Sequence, residues 1–351
     1  MEILSFLVSF GTLYSIYLIL ASSMELEYGE LGLPSFAKAA FLALGAFTVG
    51  ALSVRVGALI LGLALEGEFK LTSYFYATLI TRQIASHPLL GLVIFALPFA
   101  VAVPLATLLG AAVTYPALRL REDYLAITLI AFSEIVRVLA RNYEPLVGGT
   151  FGAGVVNPFA WLGSPWRELV LFLVSLAMGF GIWLLTFKIS TSPLGRILRA
   201  IRDDEIAAKA YGLDVAKVRA WVLAVGSAMA AVAGVLYAFY MGAVNPDDFT
   251  VSRTFIVVLM VVLGGRGNPY SPLVGAGIYL LIDRAMIFVK HLLPIPFDVN
   301  YASYVILGAL LIVLLIKRPG GLVPERPLLT VKEIVNTSER GDETLLFHKR
   351  E

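Results

Sequence analysis

The sequence predicts an all-α polytopic membrane protein, with about nine (eight to ten) transmembrane helices and one polar, helix-forming loop set between two of them. Three observations carry this. Hydrophobic residues make up 59% of the 351-residue chain and charged residues only 15%, against about 25% charged in an average soluble domain. Apolar runs close to the ~20 residues that cross a bilayer recur along the whole length. The most charged long stretch, SPLGRILRAIRDDEIAAKAYGLDVAKVRAW from Ser192 to Trp221, lies between two such runs. An outer-membrane barrel would show short alternating strands instead, and the sequence lacks them.

The runs in order are Ile3 to Ser22, Phe36 to Val56, Leu89 to Leu118, Tyr124 to Ala140, Leu169 to Phe187, Trp221 to Met241, Thr254 to Leu263, Pro272 to Val289 and Tyr301 to Ile316. The first lacks a basic flank and a small-residue cleavage site, so it reads as a retained span. The third carries Pro98, Pro104 and Pro116 and is expected to tilt or kink. Thr254 to Leu263 is too short to cross alone and runs into Gly264-Gly265, as a broken helix would.

Lysine and arginine set the orientation. The loop holds Arg196, Arg199, Arg202, Lys209, Lys217 and Arg219, and the tail holds Lys317, Arg318, Arg326, Lys332 and Arg340. Both are predicted cytoplasmic, with Arg119 and Arg121. Asn142 to Arg167, Asn245 to Phe249 and Pro294 to Asn300 fall on the opposite side. Nine spans also put Ser23 to Ser35 inside, although it carries Glu25, Glu27 and Glu30 and no basic residue. An extra crossing within Gly57 to His87 would remove that conflict.

The polar loop reads as two helices. Ser192-Pro193 is a capping oxygen followed by proline at the first helical position. Leu194, Ile197, Leu198 and Ile201 follow at helical spacing. Asp203 and Asp204 can cap a second, short helix from Glu205 to Tyr211, which Gly212 ends in the left-handed conformation. Asp214 caps the helix that enters the membrane. Ala207, Ala208 and Ala210 give the short helix a small-sided face. Such a face permits close approach of a partner protein, or rests on lipid headgroups.

These residues resemble a known family. Glu205-Ile206-Ala207-Ala208 with Gly212 is similar to the "EAA…G" loop of ABC importer permeases. LRLREDYLAITLIAFSEIVRVL (Leu118 to Leu139), LVGGTFG (Leu146 to Gly152), SPLGRILRAIRDDEIAAKAYGLDV (Ser192 to Val215) and VVLGGRGNPYSPLVGAGI (Val261 to Ile278) resemble the LivM-type permease of branched-chain amino-acid importers, in the family's order. GLPSFAKAAFLALGAF (Gly32 to Phe47) is similar to its N-terminal block. The resemblance covers roughly Gly32 to Val323, and departs at Gly57 to His87 and in the tail.

The resemblance implies a coupling helix made of Asp204, Glu205, Ala207, Ala208, Tyr211 and Gly212, seated in a groove of an ATP-hydrolysing subunit, with Ala207 and Ala208 facing that groove. It implies a homologous second permease, two ABC ATPase subunits, an extracytoplasmic solute-binding protein, and branched-chain or related amino acids as cargo. Urea and short amides are the alternative cargo. Residues 1–323 are expected to form the transmembrane permease domain, with the coupling loop at 188–220. Residues 324–351 are expected to be a polar cytoplasmic tail. The setting is the cytoplasmic membrane.

No covalent chemistry is legible. The chain has no Gly-Lys dipeptide, hence no phosphate loop of its own. It has no cysteine and three scattered histidines, so neither a metal nor a cofactor is expected, and no nucleic-acid motif is present. An integral membrane enzyme is a poor reading on those grounds. A stand-alone ion-coupled transporter leaves the polar loop without a purpose.

Ionisable residues at membrane depth are rare and functional by default. Glu134 and Arg137 lie one helical turn apart in the fourth run, with Arg141 a turn further. They line a solute path or satisfy each other. Gly148, Gly149 and Thr150 in one glycine motif, and Gly264 and Gly265 in another, are candidate backbone sites on that path or tight turns. Gly226, Ala230, Gly234, Ala238 and Gly242 recur every fourth residue. This small-residue stripe suits close helix packing, inside the subunit or against a second permease.

Overall fold

The computed structural model describes residues 2–117, 122–292, 299–318 and 320–325. Arg119, Arg121, most of the Pro294 to Asn300 loop and the tail beyond Glu325 lie outside the described residues. In hydrocarbon a single segment satisfies its backbone only as a helix, and each of the nine apolar runs, as far as it is described, lies in one, apart from Phe36 and Ala37 just before the second. Helix α1 is Glu2–Met24 and passes without a break into a π-helical turn, Glu25–Glu30. Then come α2 (Lys38–Leu61), α3 (Phe69–Ile84), α4 (Pro88–Ala117) and α5 (Glu122–Asn142). A single turn, α6 (Glu144–Val147), precedes α7 (Trp166–Thr191), α8 (Pro193–Asp203) and α9 (Glu205–Ala210). The chain continues through α10 (Val215–Met241), α11 (Val251–Gly264), α12 (Ser271–Leu292) and α13 (Val299–Lys317).

Among the described residues, α1 with its π-turn, α2, α4, α7 and α10 are long and apolar enough to cross a bilayer. Helices α5, α11, α12 and α13 complete the set of predicted runs. At 14 residues α11 is short, about 21 Å at 1.5 Å per residue. The loop before it compensates by folding into the bundle. Phe249 is buried there, edge-on to Phe47 and Tyr237. Helix α4 runs unbroken through Pro98 and Pro104.

Side-chain contacts sort the loops to two ends. The acidic 25–30 turn lies at the α8–α9 end, because Arg199 on α8 pairs with Glu30 at 2.7 Å and Arg202 donates to the Gly29 carbonyl at 2.7 Å. The turn has no basic residue of its own, and its countercharge comes from Arg199 of the loop and Lys38 of α2. The expected conflict in orientation therefore disappears. No extra crossing occurs between α2 and α4. Lys70 at the start of α3 pairs with Glu144 at 3.0 Å, and Thr81 near its end accepts from the Asn157 amide at 3.1 Å. Both ends of α3 thus meet the 144–157 loop at the opposite end of the bundle. That loop also forms a two-stranded antiparallel ribbon, β1 (Ala153–Gly154) with β2 (Ala243–Val244), in register Ala153 to Val244.

Helices α2 and α10 form the centre. A Cβ on Gly45 would strike the Ala231 carbonyl, and one on Gly234 the Leu42 carbonyl. Gly226 leaves room for the Glu27 carboxylate. The small-residue stripe is therefore used inside the subunit. Gly242, at its end, caps α10 with φ of +70° instead.

Candidate functional site

The polar loop is built by local capping. Ser192 Oγ accepts from the Leu194 amide at 3.1 Å. Asp204 Oδ1 accepts from the Ile206 and Ala207 amides at 2.9 and 3.0 Å. Asp214 Oδ1 accepts from Lys217 at 3.1 Å. Gly212 has φ of +83° and follows α9 with its amide on the Lys209 carbonyl. Left-handed backbone is what glycine supplies without a steric cost.

Tertiary contacts then orient the loop. Leu198 and Ile201 of α8 are buried, while Arg199 and Arg202 reach inward to the π-turn. Glu30 also accepts from Ser190 Oγ, and Arg202 pairs with Glu325 at 2.9 Å. On α9, Glu205 pairs with Lys209 at 2.6 Å and with Arg219 of α10 at 2.9 Å. The hydrogen bond from Lys209, then the charge of Arg219, holds the Glu205 carboxyl below its ordinary value. Ala207 and Ala208 were expected to face outward together. Ala208 instead is 4% exposed, packed in the chain's own core, and Ala207 is half-buried. The physical reason is the clamp by Glu205 to α10, which turns that side of a six-residue helix inward. The free face carries Ile206 and Tyr211, 82% and 89% exposed.

The path candidates fall into two sets that do not meet. At the end opposite α8 and α9, Arg137 makes a double contact with Glu134 and pairs with Asp247 at 2.6 Å. Arg141 sits 3.6 Å from the same Asp247. Gly148 and Gly149 have φ of +75° and +60°, so this glycine pair makes a tight turn. The Thr150 carbonyl accepts from Asn245 at 3.4 Å. Gly264 and Gly265 lie at the α8–α9 end, where the amides of Leu322 and Val323 donate to the carbonyls of Leu263 and Gly264.

Two further groups of charges, one sealed and one partly buried, stand apart from these candidates. Glu27 and Lys38 form an ion pair of 2.8 Å with both side chains sealed, at 0% and 1% exposure. Glu25, also buried, accepts from the Gly267 amide at 2.8 Å. A second group, Arg253 with Asp283 and Arg284, lines a cavity among α1, α10, α11 and α12. Lys38 stands inside an apolar run, Asp283-Arg284 inside another, and Arg253 beside a third. Averaging hydropathy over a span hides single charges of this kind.

Long apolar helices, an ion-paired interior and a capped helical loop at one end define a polytopic helical membrane protein. The comparisons give the family. Residues 6–315 match the family described as branched-chain amino acid transport system / permease component. The chain is 36% identical to the probable branched-chain amino acid transport permease protein LivM of Methanocaldococcus jannaschii, over 90% of this chain and 93% of that one. It is 28% identical to the high-affinity branched-chain amino acid transport system permease protein LivM of Escherichia coli K12, over 96% of this chain and 74% of the other. A shorter stretch, 34% of this chain and 35% of the relative, is 35% identical to the corresponding LivH of the same organism. No solved structure matches. The chain belongs to this family and is a LivM-type permease subunit of an ABC importer.

Proposed function

We propose that this chain carries branched-chain or related amino acids across the cytoplasmic membrane, in a complex with a homologous second permease, two ATPase subunits and an extracytoplasmic binding protein. The names of its relatives support the cargo. Residues 1–323 act as one transmembrane domain, with loop 188–220 and tail 324–351 in the cytoplasm. The observation that carries the coupling assignment is α9 itself. It is a capped, ion-paired helix exposing Ile206 and Tyr211, on a chain with no phosphate loop.

The contacts give motion at α9 two routes inward. Glu205 ties α9 to Arg219 on α10. Arg199 and Arg202 on α8 tie the loop to the π-turn that continues α1. When the ATPases close and shift α9, α1 and α10 move with it, and the bundle alternates its access.

The test is Ile206→Asp combined with Tyr211→Asp. Both side chains project freely, so the ion pairs beneath them are untouched. Burying an unpaired charge against a partner costs about 3 kcal/mol or more, and each ~1.4 kcal/mol is tenfold in affinity. The ATPases are expected to be lost on co-purification while the second permease is retained. ATPases retained with full substrate-stimulated hydrolysis would make α9 a helix resting on lipid.

A further inference from the structure

We propose that the cavity among α1, α10, α11 and α12 is a transit site for one small amino acid with an apolar side chain, its carboxylate held by Arg253 and its ammonium by Asp283. The proposal rests on the amino-acid reading above and locates where, inside this subunit, such a cargo is held.

The cavity measures about 220 Å³. That is far above the ~10–15 Å³ of such space that a single water needs, and leaves room for a small amino acid. Its polar wall is unusual for membrane depth. Arg253 donates from Nε to the Asp248 carbonyl at 3.1 Å, from Nη1 to the Tyr17 hydroxyl at 3.2 Å and from Nη2 to the Tyr237 hydroxyl at 3.2 Å. A guanidinium has five N–H donors, so two remain. All three partners are neutral oxygens. Among the described residues no carboxylate lies within ion-pair distance of Arg253 or Arg284, and no basic group within that distance of Asp283. Arg284 Nε is buried without a hydrogen-bond partner.

Among the described residues the fully buried charges, Glu25, Glu27, Glu30 and Lys38, each have a counter-ion or a donor in place. Here two guanidiniums and one carboxylate, each partly buried, face one space, and among the described residues none of them is in a direct ion pair. Desolvated charge of that kind is costly unless it is paired. A ligand carboxylate is the natural complement of a free guanidinium edge, since the planar donors match it two at a time. Asp283 supplies the opposite charge for an ammonium across the same cavity. Tyr279, edge-on to Tyr17 at 5.1 Å, adds a hydroxyl-bearing wall. Leu13 and Ile256 supply the apolar wall that an aliphatic side chain needs.

The cavity is also one-sided. Met241 and Ile287 edge it and are partly exposed. Toward the α8–α9 end, Tyr17, Tyr237 and Arg253 separate it from a void of only about 10 Å³ beside Lys38, too small for more than one water. Behind that void stands the sealed Glu27–Lys38 pair. The structure is thus open to a solute on one side of Arg253 and closed on the other.

Because the chain has no cysteine, Ile287→Cys places a single thiol at the cavity's edge without touching its charges. In the assembled importer, without binding protein, labelling of that thiol is to be followed with L-leucine, L-isoleucine, L-valine or L-alanine present. Leucine amide and 4-methylpentanoate, which lack the carboxylate and the ammonium respectively, are the controls. At least one amino acid is expected to slow labelling, with about tenfold weaker protection from either control. Adding Arg253→Gln should abolish the preference for the carboxylate, and Asp283→Asn that for the ammonium. Should Arg253→Gln fail to assemble, Arg253→Lys, which keeps the charge but loses the planar pair of donors, reads the carboxylate preference, and Asp283→Asn alone reads that for the ammonium. No protection by any of the four amino acids, or equal protection by the controls, overturns the site. Uptake of the same four amino acids by the importer supplied with its binding protein keeps the two readings separate: uptake without protection overturns the site and leaves the amino-acid reading standing.

Discussion

Two charged clusters of similar chemistry sit toward opposite ends of the bundle and differ in one physical respect. Around the π-turn, Glu25, Glu27, Glu30 and Lys38 are all sealed from solvent. At the far rim, Glu134, Arg141 and Asp247 are partly open to solvent around Arg137. A buried pair balances a large desolvation cost against its partner, so losing one member is severe. An exposed pair is screened and contributes little. The comparison teaches that the charges most conspicuous in the sequence, Glu134 and Arg137, stand where breaking them costs least. Those on which the interior depends, Glu27 and Lys38, lie in a turn and at a helix start.

Lys38→Met should have the largest effect. It strands the Glu27 carboxylate and should destabilise by about 3 to 5 kcal/mol, read as a lowered midpoint of thermal unfolding in detergent. Adding Glu27→Gln should restore most of the loss. If the single variant is as stable as wild type, the contrast between the clusters collapses. Next comes Gly226→Val, whose side chain must displace the Glu27 carboxylate beside it. Overpacking of this kind costs about 1 to 3 kcal/mol, and the same unfolding measurement checks it.

The double change Glu134→Gln with Arg137→Gln should cost less than about 1 kcal/mol and leave uptake close to wild type. A folded, assembled double variant with poor uptake would move this rim pair onto the solute path. The smallest effect is local. The Glu205 carboxyl titrates below its ordinary value of 4.5. A lowered folded value means that its stabilisation is complete above the unfolded value and is lost as pH falls through the folded one. Hydrogen exchange in α9 should therefore accelerate, beyond the intrinsic pH effect, below roughly pH 4.5. Glu205→Gln should remove that excess.

The helices were legible because each is written locally. Ser192-Pro193, Asp204, Gly212 and Asp214 are caps whose chemistry involves only their neighbours in the chain, and the nine runs follow from bilayer thickness. What depends on distant partners was not legible. The inward turn of Ala208 follows from Glu205 reaching Arg219. Which neighbour fills the Gly226 notch depends on a carboxylate about 200 residues earlier in the chain. Helix α3 lies in the stretch where an extra crossing was weighed, yet the contacts of Lys70 and Thr81 return it to its starting side. The Arg253 cavity gathers residues from α1, α10, α11 and α12, and no window along the sequence contains them together.

The pairing of Arg202 with Glu325 joins residues 123 positions apart. A ribosome adding about 5 to 20 residues per second takes roughly 6 to 25 s to cover that distance. Throughout that interval α8 exists without its last anchor, and the strap of residues 320–325 beside Leu263 and Gly264 has not yet been made. The polar loop is thus fastened by almost the last described residues to leave the ribosome. Final seating of the loop therefore waits on residue 325, and a permease truncated before it would carry a loop lacking that fastening.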